Sequence, residues 1–320
     1  MILISQKQLK EKISIPLAIR SIKKAFIASS YGKVIMPDPL VFELPKNEGE
    51  ICIKTALVKN LSTYTIKQVS VINKNTKRNI PTLNATMNVY SRLTGELLAV
   101  IDEKGWLTNL RTACAGAIAE KMFRKKNYNV LGIIGAGTQA SWQIKVILSI
   151  PNKYKKIIIW NRTYKKAVLL KNELSKMYPK IKFEVFFLVK DLVLQSDTII
   201  SVTASQNPIV KNTMINNGKT IISIGSDMPN KCEIDPQIYS ISNKIFVDNI
   251  KSNKLLGNIK RAIDSGCIQL KNISGEIGDL LLTNKKGREN DNQLILVSLV
   301  GLGSQDTYMG DLVYTIFRNK

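Results

Sequence analysis

An acidic side chain follows an apolar run in the second half of the chain. The stretch TIISIGSDMPNKCEID, at 220–235, is apolar and mostly β-branched up to Ile224, and Asp227 comes three residues later. Since Asp favours turns and Pro229 follows closely, Asp227 fits a surface turn. It also fits a carboxylate that points into a ligand site, because such sites lie at the carboxyl edge of a parallel sheet. Both interpretations stay open from the residues alone.

The residue types that the chain lacks narrow the chemistry further. None of its 320 residues is histidine, which excludes Ser-His-Asp and Cys-His catalysis and His-ligated metal sites. Acid–base steps must therefore use Lys, Arg, Asp, Glu, Tyr, Cys or a cofactor. The cysteines have neither CxxC nor metal spacing, so we expect free thiols in a reducing compartment and no metal. They are Cys52, Cys114, Cys232 and Cys267.

A glycine-rich turn in the middle of the chain indicates a dinucleotide site. The hexapeptide GAGTQA at 135–140 follows an apolar run and precedes a helical pattern, which is the context of a Rossmann fingerprint. Gly135 permits the tight turn, Gly137 lets the backbone approach a pyrophosphate, and Ala140 leaves room for helix–strand packing. A plain glycine turn in an α/β domain without a nucleotide is the alternative.

The residues at the end of the next strand indicate whether the ribose of the cofactor carries a 2′-hydroxyl or a 2′-phosphate. An NAD site usually carries Asp or Glu there for the 2′-hydroxyl, but this strand ends in Asn161-Arg162-Thr163. No carboxylate is present to repel a 2′-phosphate, and Arg162 can pair with one. We therefore expect NADP(H) to be preferred, with NAD(H) as the alternative if Arg162 only points into solvent.

Composition and charge limit the classes of protein to which the chain can belong. With 320 residues, 44% of them hydrophobic, the chain suffices for two domains and has no apolar run near the roughly 18 residues of a membrane span. Its N-terminus lacks the continuous apolar core of a secretory signal, so we expect a cytoplasmic protein without a membrane partner. The net charge of +23 is spread along the chain, which indicates solvated surface charge and no nucleic acid partner.

Two patterns of elements must position these residues. Residues 1–125 combine a helix, short strand-like runs typical of an antiparallel sheet, and an Ala-rich helix that Thr108 opens. From 126 to 304, apolar strands alternate with helical stretches, as in a parallel sheet covered on both faces. The helical segment 305–320 is expected to rejoin the first domain. The predicted fold class is α/β, with a Rossmann-type parallel-sheet domain plus an α+β domain.

Motifs over most of the chain occur together in one order. They are IKQVSVINKN at 66–75, NIPTLNATM at 79–87, TGELLAVID at 94–102, LTNLRTACAGAIA at 107–119, GAGTQA at 135–140, WNRT at 160–163, GSDMPNKCEID at 225–235 and VGLGSQD at 300–306. In this order they resemble the ornithine cyclodeaminase/mu-crystallin family. The resemblance implies a homodimer, with a substrate and dimerisation domain at 1–125 and about 305–320. It implies a Rossmann domain at 126–304 that binds the nicotinamide cofactor.

The resemblance also implies roles for individual residues. Lys67 matches the substrate-site lysine, Arg111 the ligand of the substrate carboxylate, and Asp227 the acid that handles the amine. Asp227 and Lys67 are therefore the expected catalytic residues. Together with the glycine turn and the ribose segment, the resemblance gives the expected cofactor-binding residues Thr82, Arg111, Gly135, Gly137, Thr138, Gln139, Ala140, Asn161, Arg162, Thr163, Thr203, Ile224, Gly225 and Lys231.

The chemistry of Lys67 and Arg111 agrees with those roles. An α-amino or α-imino acid needs cations for its carboxylate, and oxidation at Cα needs a proton acceptor for the amine. From the strand pattern alone, Lys67 could equally face solvent. Arg111 could be a surface charge, but its expected place in the first turn of a helix favours anion binding.

The sequence departs from the family's pattern near its N-terminus. Family members carry Arg or Lys soon after a Gln-Pro or Met-Pro pair, whereas here Met36-Pro37 is followed by Asp38-Pro39. Lys54 is expected to supply the missing charge as a substrate-binding residue. It also lies near a glutamate position of true ornithine cyclodeaminases, which weighs against ornithine as the substrate.

These observations lead to one expected function and two alternatives. We expect an NAD(P)-dependent enzyme that interconverts a small α-amino acid and its imine by hydride transfer at Cα. The first alternative is ornithine cyclodeaminase, which converts ornithine to proline and ammonia with a catalytic nicotinamide. The second is a non-catalytic ligand-binding protein like mu-crystallin, against which Lys67, Arg111 and Asp227 argue.

Overall fold

The chain forms two compact units. The computed structural model describes residues 1–216 and 218–318, with the side chains of Asn47 and Thr76 excepted. Unit 1 contains Met1–Cys114 and the described residues from Leu302 onward, and unit 2 contains Ala115–Gly301. Helices and sheets are mixed in both, and the sheet of unit 2 is parallel, so the predicted α/β fold class is confirmed.

The chain contains strands and α-helices, each numbered here in chain order. The strands are β1 Ile2–Ser5, β2 Val34–Ile35, β3 Leu40–Leu44, β4 Gly49–Val58, β5 Thr63–Ile72, β6 Leu83–Ser91, β7 Leu97–Asp102, β8 Val130–Ile134, β9 Lys156–Trp160, β10 Lys182–Val185, β11 Thr198–Ser201, β12 Thr220–Ser223, β13 Lys244–Val247, β14 Gly275–Glu276 and β15 Ile295–Ser298. The α-helices are α1 Gln6–Lys12, α2 Ile15–Ser30, α3 Trp106–Phe123, α4 Thr138–Leu148, α5 Tyr164–Met177, α6 Val189–Gln195, α7 Pro236–Ile241, α8 Ile250–Leu255, α9 Gly257–Asp264, α10 Ile277–Thr283 and α11 Gly303–Phe317.

Unit 1 is built on a seven-stranded sheet. Its order is β1-β7-β6-β5-β4-β2, with β3 also paired to β4. Strands β4 to β7 form the predicted antiparallel sheet, and β1 joins β7 in parallel. Alternate residues are buried from Cys52 along β4 and in the first half of β5, as the two-residue period of a strand requires. This period turns Lys54 and Lys67 towards the interior.

Helix α11 covers the buried face of this sheet. Gly310 lies so close to β5 that a Cβ there would be 2.2 Å from Thr65 Oγ1. A Cβ on Gly303 would likewise be 2.3 Å from the Thr55 carbonyl oxygen of β4. Ser21 on α2 donates a hydrogen bond to the Tyr308 carbonyl, which ties the two helices together. The small residues of α11 therefore let its first turns approach the strands that carry the buried lysines.

Unit 2 is an eight-stranded parallel sheet. Its order is β10-β9-β8-β11-β12-β15-β13-β14, and each neighbouring pair is parallel. The predicted alternation of strands and helices in this part of the chain is confirmed. All four residues of β15 are buried, as are those of β11 and β12.

The start of α3 corrects two expectations. The helix begins at Trp106, two residues before the predicted start at Thr108. The Glu103 carboxylate accepts hydrogen bonds from the Thr108 backbone N–H at 2.5 Å and from its hydroxyl at 2.6 Å. Glu103 therefore satisfies the helix start, and Thr108 is a donor within the first turn. Arg111 consequently lies in the second turn, and its expected first-turn position was wrong.

The structure also bears on the expected free thiols and on the expected lack of a membrane span. All four cysteines are free thiols, and Cys52, Cys114 and Cys232 are buried. Burial raises the pKa of the Cys114 thiol to about 12, which keeps it protonated. Within residues 1–216 and 218–318, no helix combines the length and the apolar character needed to cross a membrane.

Candidate functional site

Three cations and a carboxylate come together inside unit 1. Lys54 on β4 and Lys67 on β5 are direct neighbours across the antiparallel pair, and they are 7% and 0% exposed. Arg111 on α3 is buried as well, and Asp306 in the first turn of α11 is fully buried. We call Lys54, Lys67, Arg111 and Asp306 the Lys–Arg cluster.

Asp306 forms ion pairs with two of the cations in this cluster. Its Oδ1 and Oδ2 lie 2.9 and 2.8 Å from Lys67 Nζ, and its Oδ1 lies 3.2 Å from Arg111 Nε. Gln305 Oε1 accepts a further hydrogen bond from Arg111 Nη1 at 3.2 Å. One turn of α11 therefore orients both cations.

The surroundings of the cluster shift the pKa values of its members. Burial, with the positive charge of Arg111, lowers the pKa of Lys67 to about 8, although Asp306 opposes the shift. Burial disfavours ionisation of Asp306, but Lys67 and Arg111 outweigh it and hold the pKa of Asp306 below its usual range. Lys67 can therefore gain and lose a proton near neutral pH, as an acid–base group must.

Glu103 is a second buried carboxylate beside the cluster. Burial raises its pKa, and the hydrogen bonds from Thr108 and the charge of Lys67 oppose that rise. Sequence analysis gave neither Glu103 nor Asp306 a role. The signal for Asp306 was an acid inside the glycine-rich motif VGLGSQD.

The glycine turn of unit 2 joins β8 to α4, as predicted. Gly135 has a φ of 112°, and a Cβ there would lie 2.9 Å from the Val202 carbonyl oxygen, so this position requires glycine. At Gly137, directly before α4, no described atom outside its chain neighbours lies within 4 Å of the place of a Cβ. This open backbone, followed by Thr138 and Gln139 at a helix N-terminus, fits a pyrophosphate. Ala140 is buried against the sheet.

Asn161 ties the end of β9 to this turn. Its Oδ1 accepts a hydrogen bond from the Ala136 N–H at 3.2 Å, and its Nδ2 donates to the Thr163 carbonyl at 3.0 Å. The side chain of Arg162 is exposed at the same strand end. Unit 2 therefore presents an accessible guanidinium where the ribose-binding acid of an NAD site usually stands.

The remaining cofactor candidates fall in two places. Thr203 follows β11, and Ile224 and Gly225 follow β12, so all three lie at the carboxyl edge of the parallel sheet. Buried Glu233, which sequence analysis did not single out, accepts hydrogen bonds from the Thr203 and Gly225 N–H groups. Thr82 belongs to unit 1, directly before β6, and its carbonyl accepts a hydrogen bond from the Ile72 N–H at 2.8 Å.

Asp227 lies in unit 2, four residues beyond the end of β12 at Ser223. Its Oδ1 accepts a hydrogen bond from Lys231 Nζ at 2.9 Å, and its side chain is 42% exposed. The predicted catalytic acid and a predicted cofactor residue thus form an ion pair with each other, which sequence analysis did not anticipate. Asp227 thus follows the strand near a turn and has a partly exposed carboxylate, so both interpretations of this residue stay open.

A Rossmann sheet with an open glycine turn, in one chain with a buried set of cations, is typical of oxidoreductases that use a nicotinamide dinucleotide. Residues 1–320 match the ornithine cyclodeaminase/mu-crystallin family, and the chain belongs to this family. The chain is 29% identical over 316 residues to the alanine dehydrogenase of Archaeoglobus fulgidus, covering 98% of this chain and 94% of that protein.

Solved structures of similar proteins agree with this assignment. The Thermococcus litoralis Δ1-pyrroline-2-carboxylate reductase, in complex with NADH and L-proline, superposes with a TM-score of 0.90 at 28% identity, over 98% of this chain and 97% of that one. An archaeal alanine dehydrogenase dimer with bound NAD gives a TM-score of 0.90 at 28% identity, over 100% and 97%.

These relatives confirm the predicted family and class of activity. The chain is an NAD(P)-dependent oxidoreductase of the kind that interconverts an amino acid and its imine. Both solved structures contain a nicotinamide dinucleotide, NADH in the reductase and NAD in the alanine dehydrogenase.

Proposed function

We propose that Lys54, Lys67 and Arg111 bind the carboxylate of a small α-amino or α-imino acid. The observation that supports this most strongly is that three buried cations lie together in unit 1, with Lys67 and Arg111 paired to Asp306. A substrate carboxylate bound among these cations would make charge-assisted hydrogen bonds with them. The guanidinium of Arg111 suits a bidentate contact to such a group.

Asp227 is the residue to which we assign proton transfer to and from the substrate nitrogen, and Lys67 is the alternative. When bound, the cofactor supplies or accepts the hydride at the substrate Cα. Asp227 has an accessible carboxylate at the edge of the parallel sheet, where ligands of such sheets bind. Lys67 has a pKa of about 8, so it is also able to exchange a proton near neutral pH.

For the cofactor, we propose NADP(H) in preference to NAD(H). The exposed Arg162 at the end of β9 suits a 2′-phosphate, and neither Asn161 nor Thr163 carries a charge that would repel one. Gly135, Gly137 and the start of α4 would hold the pyrophosphate. Thr203, Ile224 and Gly225 would line the nicotinamide end of the sheet edge, and we retain Thr82, Thr138, Gln139, Ala140, Asn161, Thr163, Arg111 and Lys231 as further candidates for contact.

Between the enzymatic alternatives, the structure of unit 1 favours a reductase or dehydrogenase over ornithine cyclodeaminase. Lys54 lies directly opposite Lys67 on the neighbouring strand and is buried. It therefore adds positive charge at a place near which true cyclodeaminases carry a glutamate. A second amino group, such as the side-chain amine of ornithine, would meet repulsion from these cations.

We also propose that the protein is a homodimer and that unit 1 carries the dimer contacts. The archaeal alanine dehydrogenase that shares this fold is a dimer. Unit 1 exposes large apolar side chains at Ile35, Leu40 and Phe42, on and near its outermost strands. Unit 2 is then the cofactor-binding domain and unit 1 the substrate and dimerisation domain.

The experiment that tests the proposed function is a screen of amino acids and of keto acids with amines. Nicotinamide absorbance and free ammonia are followed together in each reaction. We expect net oxidation or reduction of the nicotinamide with at least one small substrate. Arg111→Ala should lose that activity while its cofactor affinity stays within a few-fold. Lys59→Ala, an exposed lysine of the same unit, is the control.

Other outcomes of the screen point to the alternatives. Ammonia release from ornithine without net change in the nicotinamide would establish the cyclodeaminase instead. Tight binding of a substrate-like ligand without turnover on any compound would establish a binding protein. In both cases the reductase or dehydrogenase proposal would fail.

A further inference from the structure

A buried carboxylate joins the ends of two neighbouring strands in unit 2. Glu233 is 0% exposed, and it lies in the segment that follows β12. Ser201 and Ser223 are the last residues of β11 and β12, and they are partners in the parallel register. Glu233 accepts a hydrogen bond from each of these hydroxyls, at 2.6 and 2.8 Å. The carboxylate therefore spans the gap between the two strand ends.

The same carboxylate also holds the residues that come next on each strand. Its Oε1 accepts hydrogen bonds from the Thr203 N–H at 2.6 Å and from the Thr203 hydroxyl at 2.9 Å. Its Oε2 accepts a hydrogen bond from the Gly225 N–H at 3.0 Å. Thr203 and Gly225 are candidates for cofactor contact, so Glu233 fixes the distance between two such positions without itself being one of them.

The backbones of Thr203 and Gly225 pack so closely that a side chain at position 225 has no room. A Cβ on Gly225 would lie 2.0 Å from the Thr203 carbonyl oxygen and 2.8 Å from Glu233 Oε1. Asn258 in turn fixes the backbone of Glu233, because its Oδ1 accepts a hydrogen bond from the Glu233 N–H at 2.8 Å. Asn258 therefore holds the backbone of Glu233, and the Glu233 carboxylate in turn holds the ends of β11 and β12.

The order of the strands tells which end of the cofactor these positions face. The sheet runs β9-β8-β11-β12, with the ribose segment after β9 and the glycine turn after β8. A dinucleotide lies across the carboxyl ends of such a sheet, with its pyrophosphate at the glycine turn. Since the adenosine half lies on the β9 side, the nicotinamide half lies at β11 and β12.

We propose that Glu233 is a positioning residue for the nicotinamide end of the cofactor, which it sets by fixing Thr203 and Gly225. This inference rests on the proposed function, because it takes those two residues as cofactor contacts. Burial raises the pKa of Glu233, and the hydrogen bonds from Ser201, Thr203 and Ser223 oppose that rise.

Replacement by glutamine isolates this role at constant size. Hydroxyl groups can rotate to accept a hydrogen bond, but a backbone N–H cannot. Each oxygen of Glu233 accepts one backbone N–H, that of Thr203 or that of Gly225. Whichever way a glutamine is turned, its NH₂ group faces one of these donors, so one backbone position must move away or lose its partner.

The test compares two ligands on the unmodified protein, Glu233→Gln and the control Glu173→Gln, an exposed glutamate of unit 2. The first ligand is whichever reduced cofactor the unmodified protein binds more tightly, NADPH or NADH. The second is the matching fragment without nicotinamide, 2′-phospho-ADP-ribose or ADP-ribose. Calorimetric titration gives each Kd, and thermal melting checks the fold.

We expect Glu233→Gln to weaken the cofactor about tenfold, which is the loss of roughly one buried hydrogen bond, and to leave the fragment within about twofold. Equal weakening of both ligands, or no change in either, would overturn the inference. If the unmodified protein binds neither cofactor, the proposed function fails and this inference fails with it.

A second variant keeps the test decisive if Glu233→Gln does not fold. Ser223→Ala removes one donor to Oε2 and leaves the carboxylate in place. We expect a smaller loss that is again confined to the cofactor. A loss shared by the fragment would assign Ser223 and Glu233 a purely structural role.

Discussion

Lys67 shows how a single residue acquires a chemical property from its burial. An exposed lysine is charged throughout the neutral range, but desolvation and Arg111 bring the pKa of Lys67 down to about 8. Asp306 works in the opposite direction and keeps the charged form accessible. The balance between these three groups therefore sets the pH range in which the cluster can bind a carboxylate.

We expect Asp306→Asn to move the pH dependence of activity. Carboxylate binding needs charged Lys67, so kcat/KM of the unmodified enzyme should fall as the pH rises through about 8. Without the carboxylate the pKa of Lys67 drops further, and the fall should begin at lower pH. At neutral pH, kcat/KM should decrease on the order of 10- to 100-fold, as expected for a broken buried charge pair.

The measurement is a kcat/KM profile against pH for both proteins. Asp311→Asn is the matched control, since Asp311 lies on the same helix and accepts a hydrogen bond from the Thr63 hydroxyl at 2.8 Å. Cofactor affinity and melting temperature report on folding. An alkaline limb at the same pH in both variants would show that Asp306 does not govern Lys67.

Asp227→Asn separates a catalytic carboxylate from a turn residue. Asparagine tolerates the same backbone conformations as aspartate, so a turn would survive the change. A catalytic acid–base group would not, and we expect kcat to fall on the order of 10²-fold with cofactor affinity kept. Near-normal kcat on the best substrate would return Asp227 to a structural role and make Lys67 the better proton donor.

Arg162→Ala tests the preference for the phosphorylated cofactor. If the guanidinium binds a 2′-phosphate, its removal should weaken NADPH by about tenfold or more and leave NADH nearly unchanged. Fluorescence titration of both cofactors measures this, with the exposed Lys165→Ala as a control on the adjacent helix α5. Equal affinity of the unmodified protein for NADPH and NADH would contradict the prediction directly.

Sequence alone predicted some of these residues and missed others, for a physical reason. The candidates Lys54, Lys67 and Arg111 lie within one stretch of unit 1, and the structure brings them together. Asp306 lies 239 residues beyond Lys67, and only the packing of α11 on the sheet brings the two together. A buried carboxylate in a glycine-rich motif looks like any other helix-start acid until its partner is known.

At the scale of elements, periodicity was a reliable guide where one face of the element is buried. The strand-like runs predicted the antiparallel sheet that contains β4 and β5, but they left the face of Lys67 open, and only the structure places it inside. Strands β11, β12 and β15 have four buried residues each and no alternation, so periodicity does not identify them. The start of α3 was misplaced because its first turn is satisfied by Glu103, which precedes the helix.

Glu103→Ala should measure the contribution of this helix start to stability. The variant leaves the Thr108 N–H and hydroxyl without the carboxylate that now accepts their hydrogen bonds. We expect a loss of about 1–2 kcal/mol in the free energy of unfolding, as for other helix N-terminal contacts. Denaturant unfolding measures the change.

Glutamine at the same position distinguishes hydrogen bonding from charge. Its amide oxygen can accept from the Thr108 N–H and its NH₂ group can donate to the hydroxyl, so Glu103→Gln should recover most of the lost stability. A Gln variant as unstable as the Ala variant would show that the charge beside Lys67, rather than the helix start, is what matters.

For the molecule as a whole, the exposed apolar residues of unit 1 predict the mode of assembly. Phe42 on β3 is 49% exposed, so a glutamate there is tolerated by a monomer but disrupts an apolar contact between copies. We expect light scattering to give a dimer for the unmodified protein and a shift towards monomer for Phe42→Glu. Leu93→Glu, at an exposed turn, should remain dimeric. A dimer unaffected by Phe42→Glu would place the contact elsewhere.

The last helix has a consequence for how the molecule is made. Unit 2 is one continuous stretch, Ala115–Gly301, whereas unit 1 needs α11, which leaves the ribosome after all of unit 2. A nascent chain therefore carries Lys67 and Arg111 without the carboxylate of Asp306 until α11 has been synthesised. We expect unit 2 to fold first and unit 1 to close last. A chain interrupted before α11 would contain the glycine turn of unit 2, but its Lys–Arg cluster would lack Asp306.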